Sequence, residues 1–485
     1  MNLTDSGTAE TSELRADAIV IGTGAAGLCA ALTLGFAGAS VLVFEQLYEP
    51  GGMTNHIEGL FAVESKMQKK LNVGLTLDEA FRIHMHETHW LADARLVRKF
   101  MERSGPNIQW LEDLGVQFSG IFSMSPFTPR VWHQLVELGE GGLVKPLYRR
   151  LCELENVRVF LETPVQSMVM ENERAAGVVV RTKDGDTLTA SAEVVVIASG
   201  GYQDNKEWVD RYCKTGYIRP IAASNMTGGP IQMAWDVGAD AAGLGVTQSF
   251  VVVPGEELNS ELQQAGYQPH LFVNRDGRRF CDESVLWNFS LGGNALAIQP
   301  GAFAWCIFDH ATKESLKQPN SLLYVCASFF DILAPLSNID AEIERGIRER
   351  KAFRVDSLEK LGVKIGVETE DLSATVEEYN RCVDAGYDSV FGKDRRYLHE
   401  IRTPPFYAVR LGLATFITNG GIRVNDRLEV LTKDSVAIEG LYAAGCCVGG
   451  LVGDTYEVSS TGSSCGFSVA TGQMAGESAL EYLGK

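Results

Sequence analysis

Three glycines at fixed spacing, Gly22, Gly24 and Gly27, sit in the segment ADAIVIGTGAAGLCAALTLGFAGASVLVFE. They lie between an apolar run that reads as a buried strand and an alanine-rich run that reads as a helix. A second apolar run follows and ends in Glu45. Strand, glycine turn, helix, strand and acid in this order build a βαβ unit that holds a dinucleotide at the carboxyl ends of a parallel sheet. Gly22 permits the tight turn, Gly24 lets the backbone approach a pyrophosphate, and Gly27 lets the helix lie close to the sheet. The free N–H groups around Ala25 and Ala26 offer donors and positive potential to the phosphates. Glu45 stands where a carboxylate accepts ribose hydroxyls. The motif alone does not separate FAD from NAD.

Residues Thr76 to Leu114 read as two helices, the second with a break near Pro106. VRVFLETPVQSMVME, AAGVVVRT and AEVVVIASGG read as strands, with a turn at Asp184 and Gly185. From Val246 to about Pro404 aromatics increase and regular periods fade, as in an insertion. The end returns to nucleotide-domain texture in GLYAAGCCVGG and in a small-residue helix beginning near Ser464. The expected fold class is α/β: a discontinuous Rossmann-like domain over 16–245 and 404–485, an inserted α+β capping domain over 246–403, and a disordered tail over 1–15. A chain of 485 residues, 45% of them hydrophobic, is long enough for both cores.

Composition removes several classes of function. With 43 Lys and Arg against 62 Asp and Glu, a net charge of −19 repels a phosphate backbone, so no nucleic-acid partner is expected. The ten cysteines are scattered and form no C-x-x-C or C-x-x-C-H pattern, so zinc and attached haem have no support and no metal is expected. Unpaired thiols suit a reducing, cytoplasmic setting. Met1 to Asp17 lacks the basic and apolar regions of a signal peptide, and no apolar stretch reaches spanning length, so no membrane is expected. His84, His86 and His89 look metal-like, but helical spacing puts only His86 and His89 on one face, which reads as a solvated helix.

Six motifs then carry a resemblance. QLYEPGGMTNHIEG, VVVIASGGYQDN, NMTGGPIQMAWDVGAD, VNRDGRRFCDES, TNGGIRVN and EGLYAAGCCVGG are similar, in this order, to the flavoproteins of the fumarate reductase and succinate dehydrogenase family. The resemblance covers nearly all of Ala16 to Gly476. It implies FAD bound by the discontinuous domain, with substrate held between flavin and cap. The FAD contacts it implies are Gly22, Gly24, Ala25, Ala26, Gly27, Glu45, Gly51, Gly52, Met53, Thr54, Val165, Ser199, Gly200, Gly445, Cys446, Ser463 and Ser464. The start of the last helix would face the flavin pyrimidine edge and stabilise negative charge there. Adjacent Cys446 and Cys447 read as small loop fillers, because a bridge between neighbours is strained. His56 lies outside the pattern of relatives that attach FAD to histidine, so the FAD is expected to be non-covalent. The haem and FMN modules of some relatives have no counterpart here, and only one dinucleotide loop is present. Electrons are therefore expected from an external donor, NAD(P)H or a reductase partner.

The resemblance breaks at the reacting residues. Fumarate-reducing members clamp both carboxylates with histidines and arginines and protonate from a cap arginine, because hydride addition pushes negative charge onto the acceptor. The corresponding positions here are Thr247 to Phe250, Trp287, Ile417 and Tyr456. Loss of the clamp argues against dicarboxylates and urocanate and for a neutral aromatic or polycyclic substrate. VGDTYEVSSTGSSCGFSVATG resembles the C-terminal segment of ketosteroid dehydrogenases, which would place the Tyr456 hydroxyl on a substrate oxygen. The proton-abstracting tyrosine of that branch falls on Trp287, which cannot exchange a proton and reads equally as a substrate wall or a packed cap residue. Arg279 and Glu283 read as cap supports. The expected activity is that of an FAD-dependent reductase of the ene-reductase type, moving hydride between flavin N5 and a neutral phenolic or polycyclic substrate, with Tyr456 and Trp287 as the candidate catalytic residues. Tetrahydrodaidzein reductase, an isoflavonoid enzyme, is the member it resembles in lacking accessory modules. The alternatives are a 3-ketosteroid dehydrogenase or reductase, and a flavin electron carrier with no small substrate.

Overall fold

The first βαβ unit forms the centre of a six-stranded sheet. The computed structural model describes residues 14–124, 128–213, 215–216, 218–222, 224–319 and 334–485. The sheet runs in the order Glu429–Leu431, Ala437–Ala443, Val194–Ile197, Ala18–Ile21, Val41–Phe44, Val157–Phe160. All neighbours are parallel except the first pair. Ala18–Ile21, Val41–Phe44 and Val194–Ile197 are buried throughout, as continuous apolar strands covered on both faces must be. Helix Ala25–Phe36 packs closely against the C-terminal helix Ser463–Leu483 through glycines of the latter. A Cβ on Gly472 would lie 2.3 Å from the Ala26 carbonyl oxygen. The two ends of the chain thus form one discontinuous Rossmann-like domain.

Beside it, Val165–Glu171, Arg174–Arg181 and Thr187–Ser191 make an antiparallel sheet that Leu14–Arg15 extends in parallel. Two expectations change here. Leu14 and Arg15, assigned to a disordered tail, pair with Ala190 and Ser191, while residues 1–13 lie outside the described residues. Helix Ala94–Asp113 runs unbroken through Pro106. Its N-terminus is capped by Asp93, which accepts from Arg95 N and Leu96 N. Its buried face, including Leu96, Phe100, Met101, Ile108 and Leu111, packs along the core on both sides of the proline and outweighs the lost hydrogen bond.

The inserted unit is built on a mixed-length antiparallel sheet: Ala241–Val252, Phe406–Ile422, Ala304–Phe308 and Leu271–Val273, with Ala352–Val355 also paired to Phe406–Ile422. Alternate residues serve two cores, Ala304, Cys306 and Phe308 facing one and Trp305 and Ile307 the other. The chain enters and leaves the cap on two long strands rather than on linkers. Val246, Phe250, Ala414 and Ile422 belong to the nucleotide-domain core, whereas Val251, Tyr407, Val409 and Leu411 belong to a cap core. Residues 320–333, with Cys326, lie outside the described residues. Among the described residues no helix is long and apolar enough to cross a membrane.

Arg279 and Glu283 hold the cap together. Arg279 Nε and Nη2 donate to the two Glu283 oxygens at 2.8 Å, and Nη2 also lies 2.8 Å from Asp388. Lys393 Nζ lies 3.0 Å from Glu283 and donates to the His270 carbonyl at 2.8 Å. All four charged side chains are buried. Removing one acid from such a group strands the cations, so Glu283→Ala should cost about 3–5 kcal/mol of stability, read from denaturant unfolding.

Candidate active site

At the carboxyl end of Ala18–Ile21 the chain turns through Gly22 at φ 101°, where a Cβ would stand 2.6 Å from the Ala198 carbonyl oxygen. Gly27 sits directly beneath, its Cβ position 2.0 Å from the Gly22 oxygen. Gly24 differs: its backbone is ordinary extended, and a Cβ there would meet only Thr54 Oγ1 at 3.5 Å and the Gly51 oxygen at 3.8 Å. The space over Gly24 is what a pyrophosphate needs. Glu45 is buried and oriented: Oε2 accepts from Thr23 N at 2.9 Å and Thr23 Oγ1 at 2.6 Å, and Oε1 accepts from Leu47 N at 3.0 Å. A carboxylate has about four acceptor sites, so capacity for a ribose hydroxyl remains.

Gly22, Gly24, Ala25, Ala26, Glu45, Gly51, Gly52, Met53, Thr54, Ser199, Gly200, Gly445 and Cys446 line one cleft. Sequence reasoning missed Thr23, Gln46, Leu47, Ser224, Met226 and Ser468, which line it too. Thr23 had a signal, since it lies within the glycine motif; Ser468 lies in the last helix, one turn beyond the sequence-predicted Ser464, and the others come from loops without a spacing rule. Gly27 supports the turn from below, and Val165 is buried at the start of its strand and is not among the lining residues. Ser463 is buried in the first turn of the last helix. The Glu45 carboxylate with its remaining acceptor capacity, the open face of Gly24 and the unpartnered Oγ of Ser199 on the cleft lining fit FAD.

A second cavity adjoins this cleft and shares Ala25, Met53, Thr54, Ile417, Cys446 and Ser468 with it. It contains about 1240 Å³ of space, part of it open to solvent. Phe250 and Phe416 stack in its wall with centroids 4.6 Å apart, and Phe289 lies 6.3 Å from Tyr456 at 26°. Gln248 and Phe250, Ile417 and Tyr456, from three of the four positions where the resemblance leads one to seek a clamp, meet here. Trp287 does not line it. Its Nε1 donates to the Tyr397 hydroxyl at 3.0 Å and its ring packs on a cap core, so the reading as a substrate wall gives way to packing. The short turn Glu283–Trp287, anchored by buried Glu283, carries it into the cap. Among the described lining residues there is no arginine or lysine; the ionisable groups besides tyrosine and cysteine are exposed His56 and buried Glu58.

Tyr456 is buried, and its hydroxyl lies 3.3 Å from Ser464 Oγ, which is itself 3.3 Å from Asn419 Oδ1. Burial pushes its pKa up to about 12, against the smaller opposing pull of Ser464 and Ser463. The loop bearing it is tied down by His84, whose Nε2 donates to the Leu451 carbonyl at 2.8 Å and whose Nδ1 lies 3.1 Å from both Ser460 Oγ and Glu457. His84 is therefore fully buried rather than solvated, because helix Leu77–Glu87 lays that face on the loop. Among the described residues no cluster of His, Cys, Asp and Glu suits a metal ion. Cys446 and Cys447 are free thiols, raised by burial to about 11 and about 12.

A dinucleotide cleft that opens directly onto an apolar chamber defines a flavoenzyme site. A family model described as an FAD binding domain matches residues 17–463, and the chain belongs to that family. A vinyl phenol reductase of Lactiplantibacillus plantarum is 31% identical over 480 residues, 96% of each chain. A probable fumarate reductase of Shewanella frigidimarina is 27% identical, over 98% of this chain and 76% of its own. The open form of a flavocytochrome c3 fumarate reductase superposes with a TM-score of 0.74 at 26% identity, covering 98% of this chain and 79% of that one. The chain is an FAD-dependent oxidoreductase that binds FAD non-covalently.

The two motif glycines should separate in experiment. Gly24→Ala should leave the thermal stability of the apoprotein unchanged and weaken FAD binding at least about tenfold in a flavin-fluorescence titration. Gly27→Ala should lower the stability of the apoprotein itself, because its methyl meets backbone.

Proposed function

We propose that this enzyme reduces a carbon–carbon double bond in a neutral, phenolic substrate. The observation that carries this reading is the chamber's lining of aromatic and amide side chains with no arginine or lysine among its described residues. A dicarboxylate placed there would give up hydration without a cation in return, at a cost of several kcal/mol per unpaired charge. The vinyl phenol reductase relative is named for a substrate of this kind. An isoflavonoid of the tetrahydrodaidzein type is likewise neutral and phenolic, but as an isoflavan-4-ol it has no alkene, so there a hydride and a proton would replace the 4-hydroxyl, which leaves as water.

When bound and reduced, FAD supplies hydride from N5. The chain's residues do the rest. Phe250, Phe289 and Phe416 present flat faces to an aromatic ring and exclude water. Tyr456, held neutral by burial, donates its hydroxyl proton to the substrate side opposite the hydride, with Ser464 and Asn419 orienting it. His84 acts through the loop as a positioning residue. Electrons arrive from an external donor, NAD(P)H or a reductase partner.

Stopped-flow reoxidation of the pre-reduced holoenzyme tests the reading. A vinylphenol or a phenolic isoflavonoid should reoxidise the flavin rapidly, and fumarate, urocanate and a ketosteroid should not. Fumarate reduction at a comparable rate would overturn it. Tyr456→Phe should keep full flavin content and lose about 10²–10⁴-fold in kcat. Because Tyr456 stays protonated up to about 12, it should impose no alkaline fall in kcat below about pH 11. An alkaline limb near neutrality that vanishes in Tyr456→Phe would contradict the assignment.

A further inference from the structure

A short segment bridges the two sides of the dinucleotide cleft. In the six-stranded sheet Ala18–Ile21 lies between Val194–Ile197 and Val41–Phe44, so the turn at Gly22 and Gly24 has a loop on each side. Ser199 and Gly200, followed by Gln203 to Asn205, stand on one side; Glu45, Gln46 and the pair Gly51 and Gly52 stand on the other. Residues 224–226 reach from the first loop to the second, and Gln46, Ser224 and Met226 all line the cleft.

The base of this segment is firmly held. Asp204 Oδ2 accepts from Met226 N at 2.8 Å and from Ser224 Oγ at 3.0 Å, and Asp204 N donates to the Met226 carbonyl at 3.0 Å. Gln203 Nε2 donates to Ser224 Oγ at 3.1 Å, and Asn205 Nδ2 donates to the Thr227 carbonyl at 2.9 Å. The far side is held differently. Among the described residues one hydrogen bond ties the segment there, from Gln46 Nε2 to the Asn225 carbonyl at 3.0 Å, and both residues are exposed. Water competes for an exposed bond of this kind, so it opens while the base stays closed. Met226 fills the span, its Cε lying 2.7 Å from the Cβ position of Gly200 and 3.7 Å from that of Gly52.

We propose that residues 224–226 form a strap over the dinucleotide cleft, latched by Gln46 and Asn225 and roofed by Met226, and that FAD enters and leaves only when the latch opens. The proposal concerns exchange of the cofactor and is independent of the substrate. A gate slows entry and exit alike, whereas a side chain that merely touches FAD slows exit alone.

The test measures both rates by flavin fluorescence, with no turnover required. Release is followed when holoenzyme is mixed with an excess of an FAD-scavenging apoprotein, and uptake when the enzyme's own apoprotein is mixed with FAD. Gln46→Leu removes the donor and should raise both rate constants about twofold to tenfold, the worth of one hydrogen bond, so that Kd changes less than either rate. Met226→Ala removes the roof and should also quicken both. Gln46 is exposed and Met226 half-buried beside open space, so both apoproteins should melt as the wild type does. Faster release with unchanged uptake in both variants makes these residues simple FAD contacts and overturns the strap. Wild-type rates in both directions for Gln46→Leu overturn the latch.

Discussion

The flavin site depends on a contact between two helix backbones. Ala25–Phe36 near the start of the chain and Ser463–Leu483 at its end approach so closely that a Cβ on Gly472 would meet the Ala26 oxygen at 2.3 Å, and one on Gly476 the Thr33 side chain at 2.9 Å. Gly445 adds a third such point, 2.9 Å from Ala26 Cβ. These three glycines let the start of the first helix and the start of the last converge on one cleft. Closing a loop that holds the rest of the chain costs little more than closing a moderate one, because the entropy grows only logarithmically with length. Burial of most of the last helix offsets that cost.

Everything between those helices has to leave and return, and it does so on two paired strands. Ala241–Val252 and Phe406–Ile422 share a register in which Phe250 faces Ala414 and Ser249 faces Thr415. The same strands contribute Phe250 and Phe416 to the chamber wall. Cap, chamber wall and flavin domain are therefore joined through the same pair of strands. Asn294 Nδ2, which donates to Thr455 Oγ1 at 2.7 Å next to Tyr456, ties the cap helix Phe289–Ala297 to the same place.

Charge is distributed accordingly. The buried cations of the cap, Arg279 and Lys393, are consumed by Glu283 and Asp388 and are not among the chamber's lining residues. Besides His56 and Glu58, the chamber keeps Tyr456, Gln248, Gln263 and Gln264, groups that hydrogen-bond without carrying charge. Polarity of this kind discriminates among uncharged ligands by where their donors and acceptors lie, which a cationic clamp does not do.

The sequence by itself determined the βαβ unit, the position of Glu45 just after its second strand and the return of the C-terminal segment to the nucleotide domain. Each of these is encoded locally, in glycine spacing, apolar runs and a fixed distance to an acid. It also located Tyr456, Ile417 and the Thr247 to Phe250 stretch through resemblance, though it gave Trp287 an equal claim. Only the tertiary structure decided that Trp287 packs into the cap, that His84 is buried under the Tyr456 loop, and that Pro106 does not break its helix. It alone brought Phe250, Phe289, Phe416 and Gln264 to one chamber. Those outcomes turn on which neighbour a side chain meets across strands and helices distant in sequence. No local period carries that information, and burial, which pushes the Tyr456 hydroxyl pKa up, exists only once the domains have closed.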